Sequence, residues 1–139
     1  MSTFSSRRQL AATPAAVFAA FEDAACLARW WGPDGFTNEF DVFECRTGGR
    51  WVFTMVGPDG QRYPNESVFD SVVPGQEVVI RHVCQPLFTL TIRLQPSDGG
   101  TLLSWDQAFA DPEVAKAVAH IVEPANEQNL NRLAAELGA

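Results

Sequence analysis

The stretch FTLTIRLQPSDGGTLLSWDQAF, residues 88–109, decides the fold. Its apolar residues alternate twice over: Phe88, Leu90, Ile92 and Leu94, then Leu103, Trp105 and Phe109 with Gln107 among them, on either side of Asp98-Gly99-Gly100. Alternation puts every second side chain on one face of an extended strand, and an Asp-Gly pair is a strong signal for a tight hairpin. The stretch therefore predicts two antiparallel strands with one greasy face and one wetter face, and Gln107 is the polar exception on the greasy side.

The same period continues upstream to Phe36. Turn signals at Gly48-Gly49, Gly57-Pro58-Asp59-Gly60 and Pro74-Gly75 divide residues 36–109 into about six strands, a meander. Trp51, Phe53 and Met55 share one face of a strand; Val78, Ile80, His82 and Cys84 share a face of another. Residues 36–45 do not alternate cleanly, because Phe40 and Val42 share a face that Phe43 does not, which predicts a bulge and leaves the facing of that strand open.

The flanks change period. Residues 4–10 read as a first strand, and Thr13-Pro14 is a helix start, a capping hydroxyl before a proline at the first helical position. A helix to about Ala25 carries Val17, Phe18 and Phe21 at helical spacing, and a second short turn through Leu27 leads to Trp30 and Trp31 before Gly32-Pro33-Asp34-Gly35 stops it. Asp111-Pro112 repeats the start signal, and a helical pattern runs to Leu137 before Gly138. Pro124 lies in its middle, which predicts a kink or split near Glu123. The expected fold class is α+β: one twisted antiparallel sheet of six or seven strands wrapped around a long C-terminal helix, with two short helices after the first strand, in a single domain over residues 1–139.

The bulk composition narrows the function. A hydrophobic fraction of 46% and a charged fraction of 19% are ordinary for a globular chain of 139 residues, long enough to bury a core without a metal or disulfide staple. The net charge of −7, with basic residues scattered, repels phosphate backbones, so nucleic acid is not an expected partner. The three cysteines, Cys26, Cys45 and Cys84, lack any zinc-type or paired spacing and read as buried thiols in a reducing compartment. The apolar stretch after Arg7 and Arg8 is short and broken by Pro14, so neither a signal peptide nor a membrane span is expected and the protein reads as cytoplasmic. No metal site and no cofactor is expected: phosphate-cradling glycine loops and Ser/His/Asp orders are missing, and the GPDG segments lie between strands.

The runs WWGPDGFTN, RTGGRWVFTMVGPDG, YPNESVF and NLNRLAAEL occur in an order and spacing that closely resemble bacterial proteins similar to the C-terminal domain of the activator of Hsp90 ATPase, within the START-like superfamily. The resemblance covers nearly the whole chain and implies the helix-grip arrangement, a sheet gripping the last helix. It implies a class that includes lipid and hormone carriers, aromatic polyketide cyclases and hydrolases. Two departures stand out: Ser67 where a glycine is common after the glutamate, and residues 120–126 in place of a more aromatic segment. Both alter the shape of a pocket.

Several side chains are candidates for chemistry. His82 shares the face of Val78 and Ile80, where it serves either as an acid or base near neutral pH or as a donor to a buried carbonyl. Glu66 shares a face with Val68 and Val72; if that face is interior its pKa should rise and it would pair with His82, and otherwise it bonds to a turn or to Arg62 or Arg81. Trp51 and Trp105 read either as core or as a platform for a planar ligand, whereas Trp30 and Trp31, beside a Gly-Pro turn, read as a hinge or rim of a pocket mouth. On the last helix Val118, Val122, Ala125, Asn129 and Leu133 form one stripe, bordered by Asn126 and facing Gln107. The candidate ligand-binding set is thus Trp31, Trp51, Phe53, Tyr63, Glu66, Phe69, His82, Phe88, Trp105, Gln107, Asn126 and Asn129, with His82 and Glu66 as catalytic candidates. An apolar pocket with a few convergent polar groups is the pattern of a ligand site. The expected function is binding of a hydrophobic or aromatic small molecule. The alternatives are a cyclase or hydro-lyase working through His82 and Glu66, and, from the resemblance alone, a chaperone-contact module of the Hsp90 type. A homodimer is left open as a further partner arrangement.

Overall fold

Residues 88–109 form the hairpin that their alternation predicts, β6 (Phe88–Ser97) and β7 (Gly100–Phe109). Asp98 and Gly99 close it with positive φ of 49° and 79°, the backbone that a two-residue turn between right-twisted strands demands. The computed structural model describes residues 2–138. Before this hairpin come β1 (Thr3–Leu10), α1 (Pro14–Glu22), α2 (Ala24–Trp30), β2 (Thr37–Phe43), β3 (Arg50–Val56), β4 (Arg62–Val73) and β5 (Glu77–His82), and after it α3 (Pro112–Leu137). The seven strands form one antiparallel sheet in the order β1-β7-β6-β5-β4-β3-β2, so β2 to β7 are a meander and β1 closes onto β7. With α3 packed against β1, β7, α1 and α2, this is the helix-grip α+β fold.

The helix ends obey their local chemistry. Thr13 Oγ1 accepts from the Ala16 amide, Asp23 Oδ1 from Ala25 and Cys26, and Asp111 Oδ1 from Glu113, so each helix has some of its free N-terminal donors satisfied. Gly138 ends α3 in the left-handed conformation, φ 70°.

The split expected at Pro124 is absent, and α3 is one helix of 26 residues. Pro124 and His120 are both exposed, so the carbonyl that loses its partner to the proline lies on the wet side of the helix. The inward stripe also differs from the expected one: the buried positions are Ala115, Asn126, Asn129, Leu130 and Leu133, with Val118, Val122 and Ala125 half-buried beside them.

The sheet bends at two irregularities of register, between Phe40 and Val42 in β2 and between Phe69 and Ser71 in β4. The first is the bulge expected from the broken alternation, and it turns both Phe40 and Phe43 toward the core. The second was not anticipated. It lets Phe69 and Val72, three residues apart, both face inward.

The three cysteines are unpaired and only partly buried, a correction to the expectation of buried thiols. Among the described residues no helix is long and apolar enough to cross a membrane.

Gly49 is a point where the backbone leaves no room. Its amide donates to Arg46 O, its carbonyl accepts from Phe69, and an added Cβ would collide with the carbonyl oxygen of Glu44. Gly49→Ala is therefore expected to destabilise the fold by about 2–3 kcal/mol, read as a lowered urea midpoint at unchanged slope. A midpoint within error of the parent would show that the turn yields easily.

Candidate functional site

Helix α3 does not lie flat on the sheet. Between them is a cavity of about 660 Å³, inside the roughly 300–1,000 Å³ span of small-molecule sites. The middle of the helix explains the gap: Ala125, Asn126 and Asn129 face it, where a filled core would carry leucines. Opposite them stand Trp31, Trp51, Phe53 and Trp105, with Ile80, Phe88, Leu90 and Met55 completing the apolar wall. Exposed lining residues mark the mouth, chiefly Tyr63, 42% exposed, and Ile121, 58% exposed.

The rings form a fixed set. Trp31 lies 5.0 Å from Trp51 and 5.6 Å from Trp105, and Trp51 stacks on Phe53 at 4.1 Å and 19°. Behind Trp51, Phe69 lies parallel at 5.9 Å, so Phe69 supports the wall rather than lining it. The indole N–H groups of Trp51 and Trp105 have no acceptor among the described residues. Each such buried donor costs roughly 1–3 kcal/mol, a sacrifice of stability that clusters at sites rather than in plain cores.

Polar groups converge on the same space. Asn126 Nδ2 donates to Gln107 Oε1 at 3.0 Å, and Asn129 Oδ1 accepts from the Gly32 amide at 3.2 Å. These bonds fix the orientation of all three amides, whose residues are 9% exposed or less. Gln107 Nε2, Asn126 Oδ1 and Asn129 Nδ2 remain without a partner among the described residues, two donors and one acceptor beside an apolar wall. Arg62 is the one Arg, Lys, Asp or Glu among the described lining residues; it is exposed and paired with Glu39.

His82 lines another part of the cavity, with Phe88 stacked on it at 4.5 Å. Its Nδ1 donates to the Pro86 carbonyl at 2.7 Å, and Asn65 Oδ1 stands 2.8 Å from Nε2. Burial pushes the imidazole below its ordinary value, opposed by hydrogen bonding to Pro86.

Glu66 is not in the cavity. It lies exposed on the outer face of the sheet, 3.8 Å from Arg50, while Asn65, Ser67 and Phe69 face inward. His82 and Glu66 therefore occupy opposite faces, and the acid/base pair that required the face of Glu66 to be interior does not form. The bulge in β4 is the physical reason, because Val72 faces the core but no longer shares a side with Glu66. Asn65 occupies the place beside His82, and its signal in the sequence was its parity with Tyr63 and Phe69. Trp30 is also corrected: it is 1% exposed, with Nε1 donating to Ala20 O, so it is core and not rim. Trp31, the other half of that pair, is the centre of the aromatic wall. Thus of the candidate set Trp31, Trp51, Phe53, Tyr63, His82, Phe88, Trp105, Gln107, Asn126 and Asn129 line one cavity, and Glu66 and Phe69 do not.

One side chain of α3 holds the loop that carries Trp31. Arg132 Nη1 donates to the carbonyls of Trp31, Gly32 and Pro33 at 3.2, 3.0 and 2.9 Å, and Nη2 to those of Arg29 and Phe36 at 2.7 and 2.9 Å. Gln128 accepts from the Asp34 amide at 3.1 Å, and Arg29 binds Glu136 through two nitrogens.

Fold and site together define a helix-grip domain built around a small-molecule-sized cavity. Solved structures of this shape are numerous. A Rhizobium loti protein is 33% identical with a TM-score of 0.73, over 97% of this chain and 96% of that one. The AHSA1 protein of Silicibacter pomeroyi is 27% identical with a TM-score of 0.78, over 98% and 97%. A Chromobacterium violaceum protein is 26% identical with a TM-score of 0.85, over 97% and 96%. No curated protein matches. The family described as activator of Hsp90 ATPase homolog 1-like protein matches residues 11–138, and the chain belongs to it.

Removing the Arg132 clamp should open the site from behind. Arg132→Met is expected to lose about 2–4 kcal/mol, since five carbonyls lose a charged donor, and Arg132→Lys should restore only part because an ammonium cannot match the planar fork. Equal urea midpoints for parent and Arg132→Met would contradict this.

Proposed function

We propose that the protein is a one-domain, cytoplasmic binding module for a neutral, flat, largely apolar small molecule, held against Trp31, Trp51 and Trp105 and oriented by a carbonyl or hydroxyl group at the amides. The observation that carries this reading is the set of three oriented, deeply buried amides with unused hydrogen-bonding atoms beside an open apolar cavity. Neutral amides suit a neutral guest, because a charged group would lose its hydration without gaining a counter-ion. The chaperone reading rests on the family description alone. The cyclase or hydro-lyase reading through His82 and Glu66 falls with the geometry of that pair.

The test is titration with N-phenyl-1-naphthylamine, a neutral aromatic probe whose emission rises in apolar surroundings. The parent protein should bind it and quench its own tryptophan fluorescence. Ala125→Phe, which fills the cavity from α3, should abolish binding while leaving the melting temperature equal or higher. For a carbonyl-bearing aromatic such as flavone, Gln107→Leu should weaken binding about tenfold, consistent with one lost hydrogen bond. Unchanged probe binding in folded Ala125→Phe would place the ligand site elsewhere.

A further inference from the structure

Cys84 follows β5 and lies against His82. Its Sγ is 3.4 Å from His82 Nε2, the same nitrogen that faces Asn65 Oδ1 at 2.8 Å. The carbonyl of Pro86 can only accept, so Nδ1 carries a proton. Asn65 is oriented by its Nδ2, which donates to Tyr63 O at 2.8 Å, so its oxygen is the atom directed at Nε2. With Nε2 bare, two lone pairs would oppose each other at hydrogen-bonding distance. With Nε2 protonated, Asn65 Oδ1 becomes its acceptor, which works against the burial that pushes the imidazole below its ordinary value. The nearest source of that proton is the thiol of Cys84.

We infer that Cys84 is a nucleophilic thiol with His82 as its base and Asn65 as the residue that steadies the protonated ring, placed to add to α,β-unsaturated carbonyl compounds at the mouth of the cavity. The step balances without an oxidant. The proton moves from Sγ to Nε2, sulfur bonds to the β-carbon, and the C=C pair moves to form an enolate. The enolate carbon then takes the proton from Nε2, leaving a thioether and a neutral imidazole. Cys84 is partly exposed and does not itself line the cavity; its neighbours in sequence, Gln85 and Pro86, do, so a reagent reaches the thiol from solvent beside the mouth. The inference goes beyond the binding function and does not need the cavity to hold any other ligand.

The surroundings isolate the pair. Glu66 and Arg50 are bound to each other on the outer face, Arg81 to Asp70, and Arg62 to Glu39; among the described residues none of these charges bonds to Cys84 or His82 through its side chain. Glu66 contributes its backbone carbonyl, 3.8 Å from Sγ, as the resting acceptor for an unreacted thiol. The other two cysteines are internal controls. Burial pushes the Cys45 thiol up to about 11, and burial followed by Glu136 raises that of Cys26.

The experiment follows alkylation by acrylamide, a small neutral α,β-unsaturated amide, at each of the three cysteines by peptide mass spectrometry between pH 5.5 and 9. In the native protein at pH 7, Cys84 should react about tenfold faster than the same residue in urea, with Cys26 and Cys45 slower than in urea. His82→Gln should bring the native Cys84 rate down to the urea rate or below. Should His82→Gln fail to give a native circular-dichroism spectrum, Asn65→Leu decides in its place, because it keeps the imidazole while removing the acceptor at Nε2 along with the bond to Tyr63 O, and it should slow Cys84 in the same direction. A native Cys84 no faster than in urea, or a rate unchanged in the folded variant, overturns the inference.

Discussion

The guanidinium of Arg132 is the constraint on which the site depends. Five carbonyls belonging to residues 29–36 point at it, and it has no carboxylate partner among the described residues. The first of these carbonyls close the C-terminal end of α2, where helical carbonyls run out of partners and the helix dipole is negative. A cation from a different helix thus performs the capping. Because Trp31 is the residue at that cap, the same contacts fix the centre of the aromatic wall. Burial lowers the affinity of Arg132 for its proton, and Asp34 works against that. The runs WWGPDGF and NLNRLAAEL, far apart in the chain, are the two halves of this one interaction.

That clamp also explains why the cavity survives. Apolar surfaces with space between them gain by closing, at roughly 25 cal/mol per Å². Here α3 is held at fixed height from two sides. Glu127 accepts from Ser6 and Arg8 of β1, while Gln128, Asn129, Arg132 and Glu136 hold α2 and its loop. Closing the gap would break several of these bonds. The residues that face it, alanine and asparagine, offer little surface to be gained by collapse.

Strand content, hairpins, helix starts and the grip arrangement could all be read from period and punctuation, because each depends on local chemistry. The facing of β4 turns on one feature. In β2 the pair Phe40 and Phe43, three apart, betrays a bulge; in β4 the pair Phe69 and Val72 has the same spacing. One extra residue reverses the parity of everything before it, so Val68 and Val72 cannot by themselves say whether the face of Glu66 is interior. Phe69, 2% exposed, is better evidence than a valine, since burying a ring is worth more. Pro124 is a separate case: a proline need not split a helix when the freed carbonyl faces water, and Pro124 and His120 both lie off the inward stripe. Ten of the candidate lining residues were legible, because aromatic and amide side chains on an inward face have little else to meet.

The division of labour along α3 bears on how such a domain can change its cavity. Of the positions that grip, Arg132 and Glu136 lie in the last turns, while Glu127 and Gln128 lie mid-helix on faces turned away from the cavity. Positions that look into the cavity, Ile121, Ala125 and Asn126, lie a turn or more before Arg132, and Asn129 alone does both. A substitution at Ala125 alters volume without touching the clamp, and one at Asn126 alters polarity at the cost of a single bond to Gln107. Changes there are nearly independent of those that hold the fold, since distant sites with no shared partner add. Asn129 is the exception: its oxygen holds the loop while its nitrogen is free for a guest, so what occupies the cavity is coupled to the backbone that positions Trp31.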